Sequence, residues 1–438
     1  MDTQSFTLKQ YERGVFLKNL LIKGGRIIDP ANGIDKIADI LVSEGKIQAI
    51  GELSCDDADI IDASGNIVLP GLIDIHVHFR DPGLTHKEDI ESGSKAAVAG
   101  GFTTVCPMPN TAPTTDSVEL IRYAIDKGRE VGLCNILPIG AISLGLKGEN
   151  LAPIADMAEA GAVAFSDDGL TTADSALMQQ GLAAANAAKR PIFSHCEDLR
   201  LTKGGVMNRG KAAERFGLPG IGHEVEDIII GRDIILANSV GARLHICHIT
   251  TDGGVQLLRE AKARGEKVTG EVCPHHFILS DEDMLSADPN FKMNPPLRTA
   301  ADIAAIKQGL KDGTIDIIAT DHAPHTGEEK ACGFLEAPFG IIGLEDAFAL
   351  SYTELVQTGI LSLCELVEKM TCGPAKIIQH EGGTLSLGKS ADIAIISLQE
   401  YTIDPSKYHG RSKNTPFSGR KVCGKVVYTI FEGRVVYS

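Results

Sequence analysis

The chain has 438 residues, 43% of them hydrophobic, enough for one large barrel or two ordinary domains with a sizeable core. A formal net charge of −16 excludes a surface built for nucleic acid or anionic membrane, and an anionic small molecule would need a local cluster of positive charge. The opening run from Met1 to Arg13 mixes charges without an apolar core, and no later run reaches membrane-spanning length, so the expected location is the cytoplasm, with no membrane partner. Ten cysteines without a CxxC pair lie mostly in apolar runs and are expected as buried thiols in a reducing compartment.

In chain order, residues 1–18 are expected as an N-terminal extension with no assigned role. Residues 19–70 form short β-rich pieces broken by Gly, Asp, Asn and Pro. From 71 to 384 strands and helices alternate. The predicted strands are 73–78, 103–107, 135–140, 162–166, 191–195, 243–248, 267–273 and 315–321. Between them, apolar residues at helical spacing predict helices at 90–99, 118–127, 154–160, 176–188, 226–237, 254–264 and 300–310. Further helical pieces follow at 344–355, 364–369 and 374–379. Eight strands alternating with helices predict a (β/α)8 TIM-like barrel of the α/β class. Residues 385–438 return to β-like sequence, and the two β-rich ends are expected to pack together as one small composite β-sandwich domain.

The chemistry begins at Gly71-Leu-Ile-Asp-Ile-His-Val-His-Phe-Arg80. Strand alternation puts Asp74, His76, His78 and Arg80 on one face, and burying two imidazoles with a guanidinium costs several kcal/mol unless a metal with an anionic ligand compensates. Functional residues of such barrels gather at the C-terminal ends of the strands. There the sequence places His76 and His78, Asp167 and Asp168, His195, His248 and Asp321, a set of imidazoles and carboxylates without thiolate that suits Zn²⁺, with Mn²⁺ or Co²⁺ as substitutes. His245 is expected to face away from His248 and to be structural. His275 and His276 are expected to support the site or pack in a turn, and His322 to give hydrogen-bond support. Arg80 offers a bidentate fork for a carboxylate.

Six motifs in order, Ile75-His-Val-His-Phe-Arg-Asp-Pro-Gly83, Pro107-Met-Pro-Asn-Thr111, Phe165-Ser-Asp-Asp-Gly169, Phe193-Ser-His-Cys-Glu197, Met293-Asn-Pro-Pro-Leu-Arg298 and Ala319-Thr-Asp-His-Ala-Pro-His325, resemble those of bacterial dihydroorotases of the longer, hydantoinase-related type within the amidohydrolase superfamily. The resemblance runs from about Leu20 to the C-terminus. It implies one zinc held by His76, His78 and Asp321, a second by His195 and His248, and Asp168 between them, with two ions preferred over one. Asp168 rather than Asp167 matches the family ligand. Hydantoinases carry a carbamylated lysine at this position, and the strand here has no lysine. The implied activity is zinc-dependent, reversible cyclisation of N-carbamoyl-L-aspartate to L-dihydroorotate, the third step of pyrimidine synthesis, with Asp321 as proton carrier. Arg80, Asn110 and His325 would bind the substrate carboxylate, Asn294 the ring amide, and backbone groups near Phe339 and Gly340 would touch the substrate beneath a lid at 326–339. A second copy of the chain, as a homodimer, and aspartate transcarbamoylase are the implied protein partners. The rivals are a hydantoin-type cyclic-amide hydrolase, whose neutral rings give Arg80 nothing to bind, and a non-catalytic scaffold, which should have lost ligands.

Overall fold

The computed structural model describes residues 18–438, so the extension expected at 1–18 lies, apart from Lys18, outside the described residues. Both chain ends build one eight-stranded sheet. Its order runs Arg434–Tyr437, Lys421–Phe431, Ile393–Thr402, Ile67–Pro70, Asn19–Asp29, Ile34–Ser43 and Lys46–Gly51, with Ala58–Asp62 added in parallel to Asn19–Asp29. The ends meet where Ile393–Thr402 pairs antiparallel with Ile67–Pro70, in a register that sets Ile395 opposite Val68. Alternation supplies the core of this sandwich domain: Leu20, Ile22, Ile27, Ile40, Ile393, Ile395 and Ile430 are buried together. The strand Ala58–Asp62 was not among the sequence expectations. Only Ile61 of its five residues is buried, so the alternation that marks a half-buried strand is missing.

The remainder is a (β/α)8 barrel. Parallel strands Leu72–Val77, Phe102–Pro107 and Asn135–Ile136 form one arc, and Ile192–Ser194, Leu244–Ile246, Val268–Val272 and Ile317–Ile318 form another. Single bridges close the ring: Phe165 pairs with Gly140 on one side and Ile192 on the other, and Val77 pairs with His322. The fourth strand, expected over 162–166, is thus reduced to pairing at Phe165. Its neighbours carry Pro138 and Pro191, which accept from Val163 and Phe165 through their carbonyls but have no N–H to return.

Two apolar layers hold the barrel. Ile73, Ile75, Cys106, Ile139, Phe193, Cys247 and Ile317 fill its interior, while Val105, Ile136, Phe165 and Leu244 pack outward against helices such as Ile90–Ala99, Glu224–Val240 and Asp252–Ala263. Sequence sets the helix starts: Asp89 with Ser92, and Thr299 with Asp302, make reciprocal capping boxes, and Thr251 accepts from Gly254 N. Among the described residues no helix is long and apolar enough to cross a membrane.

Candidate metal centre and carboxylate clamp

The rim of the barrel gathers a compact ring of imidazoles and carboxylates. His76, His78 and Asp321 bring ligand atoms within 4.8 Å of one another, and so do His76, Asp168 and His248. His78 Nε2 lies 3.0 Å from Asp321 Oδ1 and 3.3 Å from Asp168 Oδ2. His195 Nδ1 lies 3.4 Å from Asp168 Oδ1 and 2.9 Å from His248 Nε2. Arg80, His248 and Asp321 all adopt positive φ, at 59°, 30° and 48°. The chain therefore leaves regular strand geometry at the rim, and such strained residues cluster where function requires their direction.

The ring is built for a cation. Each of three histidines spends one nitrogen on a partner behind it: His76 Nδ1 donates to Glu271 Oε1 at 2.5 Å, His78 Nδ1 to Asn110 Oδ1 at 2.8 Å, and His195 Nε2 to Glu197 Oε2 at 3.2 Å. These donations leave the opposite nitrogen of each ring as a lone pair facing the centre. His76 Nε2 and Asp168 Oδ1, 3.5 Å apart, are buried and have no hydrogen-bond partner. Unpaired buried lone pairs converging on one point fit a divalent metal and are costly without one. Asp167 stands apart: its carboxylate accepts from Ile142 N, Ser143 N, Ser143 Oγ and Thr172 Oγ1 at 2.7–2.9 Å, which ties it to the scaffold.

Burial alone would raise the Asp321 carboxyl, but His76, His78 and His248 outweigh it and hold the group down at about 2, ionised at neutral pH. In the metal-free ring burial opposes charge on His76, and Glu271, Asp168 and Asp321 overcome it, holding this ring well above the ordinary histidine value; a metal on Nε2 would take the place of that proton.

Beside the ring lies a cationic clamp. Arg80 is buried, with Nε 3.4 Å from Pro324 O and Nη2 3.4 Å from His325 Nε2, and among the described residues it has no carboxylate ion pair. Burial lowers its pKa to about 10, so it stays charged at neutral pH. His325 Nε2 donates to Phe339 O at 2.8 Å, and its Nδ1 faces Lys87 Nζ at 3.3 Å. Burial, then Arg80, Lys87 and Lys330, push this imidazole down to about 3, so it is neutral and the clamp's charge resides on arginine and lysine. Asn110 keeps its Nδ2 beside Gly169, where φ is +87° and a Cβ would lie 2.8 Å from that nitrogen; glycine leaves the amide room. Asn294 Nδ2 donates to Glu197 Oε2 at 2.8 Å, which joins it to the back of His195.

The segment expected as a lid, 326–339, carries the short helix Gly327–Lys330, and Lys330 Nζ is buried, donating to Lys292 O and Pro338 O. Gly340 packs its backbone on Ala323 at φ +124°.

Sequence reading missed the residues behind the ligands. Glu271 had no motif to mark it and sits on the interior strand Val268–Val272, bonding both His76 and His245, the latter at 3.0 Å. His245, expected to be structural and turned away, thus orients a ligand through Glu271. Alternation does not relate it to His248, because His248 lies beyond the strand Leu244–Ile246 in left-handed conformation. Glu197 lay inside a quoted motif and its adjacency to His195 was the available signal. His276 Nε2 donates to Pro295 O, and His322 Nδ1 accepts from Gly343 N, supporting roles within the loops.

A barrel with this His and Asp ring and a flanking two-ended β-sandwich defines an amidohydrolase. The Dihydro-orotase-like family matches residues 65–253 and the amidohydrolase family residues 289–437. A dihydroorotase of Pelobacter propionicus is 49% identical over 422 residues, covering 96% of this chain and 99% of the relative. One of Pelotomaculum thermopropionicum is 49% identical over 420 residues, covering 95% and 98%. Among solved structures, L-hydantoinase (dihydropyrimidinase) from Arthrobacter aurescens superimposes with a TM-score of 0.86 at 27% identity, covering 96% of each chain. A D-hydantoinase (dihydropyrimidinase) from Thermus sp. gives 0.80 at 25% identity, covering 95% of each. The chain belongs to the dihydroorotase family.

Proposed function

We propose that this site catalyses the reversible closure of N-carbamoyl-L-aspartate to L-dihydroorotate with release of water, the third step of pyrimidine synthesis. The observation that carries the reading is Arg80, a buried guanidinium without a carboxylate ion pair among the described residues, beside a metal-ready ring. A buried charge calls for a counter-charge. The carboxylate that both substrates keep outside the reacting bond supplies it, whereas hydantoin or dihydrouracil offers none there. The barrel shared with hydantoinases therefore carries a different specificity.

Two Zn²⁺ ions are the proposed complement, one on His76, His78 and Asp321, the other on His195 and His248, with Asp168 shared; when bound they would polarise the reacting carbonyl and lower the pKa of water toward neutrality. Arg80 holds the substrate carboxylate, with Asn110 Nδ2 and the His325 side of the clamp as partners. Asn294, fixed by Glu197, addresses a ring amide, and backbone groups near Phe339 and Gly340 touch the substrate. In ring opening Asp321, ionised at neutral pH, takes the proton from the attacking water and returns it to the departing ring nitrogen. In closure it takes the ureido proton. Carbamoyl aspartate carries one more carboxylate than dihydroorotate, so closure consumes a proton and is favoured at lower pH. The proposed setting is the cytoplasm, with a second copy of the chain as dimer partner and aspartate transcarbamoylase as a further candidate partner.

Ring opening of L-dihydroorotate is measured beside dihydrouracil and allantoin, before chelation, after chelation and after zinc is restored. Metal-dependent turnover of dihydroorotate alone is expected. Turnover of the neutral rings moves the assignment to hydantoinase chemistry, and silence on all three with zinc bound overturns the reading.

A further inference from the structure

The segment between the turn Pro405–Lys407 and the strand Lys421–Phe431 crosses the rim from the sandwich side. It is fastened to the loop that precedes the first barrel helix: Arg411 N donates to the Glu88 carboxylate at 3.2 Å, and Ser412 Oγ donates to Lys87 O at 2.8 Å. On its other side a single buried side chain, Asn414, reaches both loops that line the clamp. Its Oδ1 accepts from His325 N at 3.2 Å, and its Nδ2 donates to Ala323 O at 3.2 Å and Gly340 O at 3.1 Å. Its own carbonyl accepts from Ile342 N at 3.0 Å.

We propose that Asn414 is a positioning residue of the substrate-carboxylate clamp, locking the His325 loop to the Phe339–Gly340 loop at the spacing the substrate requires. Nothing in the motifs of the site singles this residue out. The inference rests on the dihydroorotase reading above.

Only a primary amide satisfies all three backbone groups at once. One acceptor and two donors are needed, and both N–H bonds point at carbonyls, which fixes the orientation of the amide. Aspartate would set an oxygen against two carbonyls, and alanine would leave a buried N–H and two buried carbonyls without this partner. The loops it joins already touch: a Cβ at Gly340 would lie 2.6 Å from Ala323 Cβ, so a change in their spacing passes directly to Phe339 O and the His325 ring bonded to it. The clamp grips a carboxylate outside the bond being made or broken. Loosening it weakens ground state and transition state alike, and the loss belongs in KM rather than kcat.

The test uses the zinc-loaded full chain. For Asn414→Ala and Asn414→Ser, KM for L-dihydroorotate is expected to rise about tenfold, as for loss of one well-placed buried hydrogen-bonding group, with kcat within about threefold. Zinc content should equal that of the parent. The same Asn414→Ala change in a His325→Ala background should raise KM by less than about threefold, because the group it positions is gone. A purely structural role would act equally in both backgrounds, and that result overturns the proposal, as does an unchanged KM in whichever of the two variants remains folded by circular dichroism. A parent enzyme silent on dihydroorotate overturns the underlying reading instead, and the parent is measured first.

Discussion

Replacing Arg80 by methionine should move activity and stability in opposite directions. The residue is only 8% exposed, its guanidinium's two protein contacts are both at 3.4 Å, and among the described residues it has no carboxylate ion pair. Burial lowers its pKa from 12.5 to about 10, a penalty on the charged form of about 3 kcal/mol at 1.36 kcal/mol per unit. Methionine retains most of the side-chain volume without the charge, and the left-handed backbone at this position strains either residue equally. The free enzyme should therefore keep its Tm or gain a few degrees. Catalytic efficiency should collapse, chiefly through KM, because two charge-assisted hydrogen bonds to the substrate carboxylate disappear, and kcat/KM should fall by about 10²- to 10³-fold. Differential scanning calorimetry and initial rates on L-dihydroorotate, at equal zinc content, read both numbers. A Tm lowered by several degrees with kcat/KM within about threefold of the parent would mean that Arg80 braces the fold and binds no substrate.

Glu271→Gln should weaken metal binding about 10- to 100-fold, measured by competition with a chromophoric chelator, because the carboxylate that fixes the His76 tautomer becomes a neutral amide; unchanged affinity would sink that role. Beyond the last barrel strand, in a cavity shared with His322 and Ser412, burial pushes the Asp346 carboxyl up to about 6 from 3.8, although Tyr408 and Tyr401 donate to it. The folded chain then binds a proton that the unfolded chain releases, so this group's contribution is fully present below 3.8 and is lost as pH rises through 6. Relative to the parent, Asp346→Asn should gain about 2 kcal/mol between pH of about 4.5 and 7, followed by urea unfolding, and a pH-independent difference would refute it.

How much of this was legible in the sequence depends on the range of the interaction. His76 and His78 announce themselves as alternate residues of one strand-like run, and the helix Ile90–Ala99 by its apolar period, both local signals. Glu271 is invisible in that way: an acid in a five-residue strand acquires meaning only because the ring closes and sets it against His76, far earlier in the chain. Asn414 fails for the same reason, since its three partners lie in two other loops. The fourth strand was overdrawn because apolar content predicts burial and says nothing of the prolines on the neighbouring strands. Ala58–Asp62 was missed for the converse reason, a paired strand with an exposed face.

The seam of the barrel has a consequence for how the protein comes to life. The ring closes where Val77 pairs with His322, with His78 N donating to His322 O, and the metal-ready cluster straddles that joint. During synthesis the first strand emerges early and the last one late, so a nascent chain holds an incomplete set of ligands until most of it has been made. The strands between Asn19 and Pro70 must wait longer still, with the Val68 edge open until Ile393–Thr402 arrives to pair with it. Any metal would thus be acquired late in the life of the chain, and an ion that bridges the joint would act as a rivet between its beginning and its end, its loading guarding the finished barrel against reopening at a seam that contiguous sequence cannot hold shut.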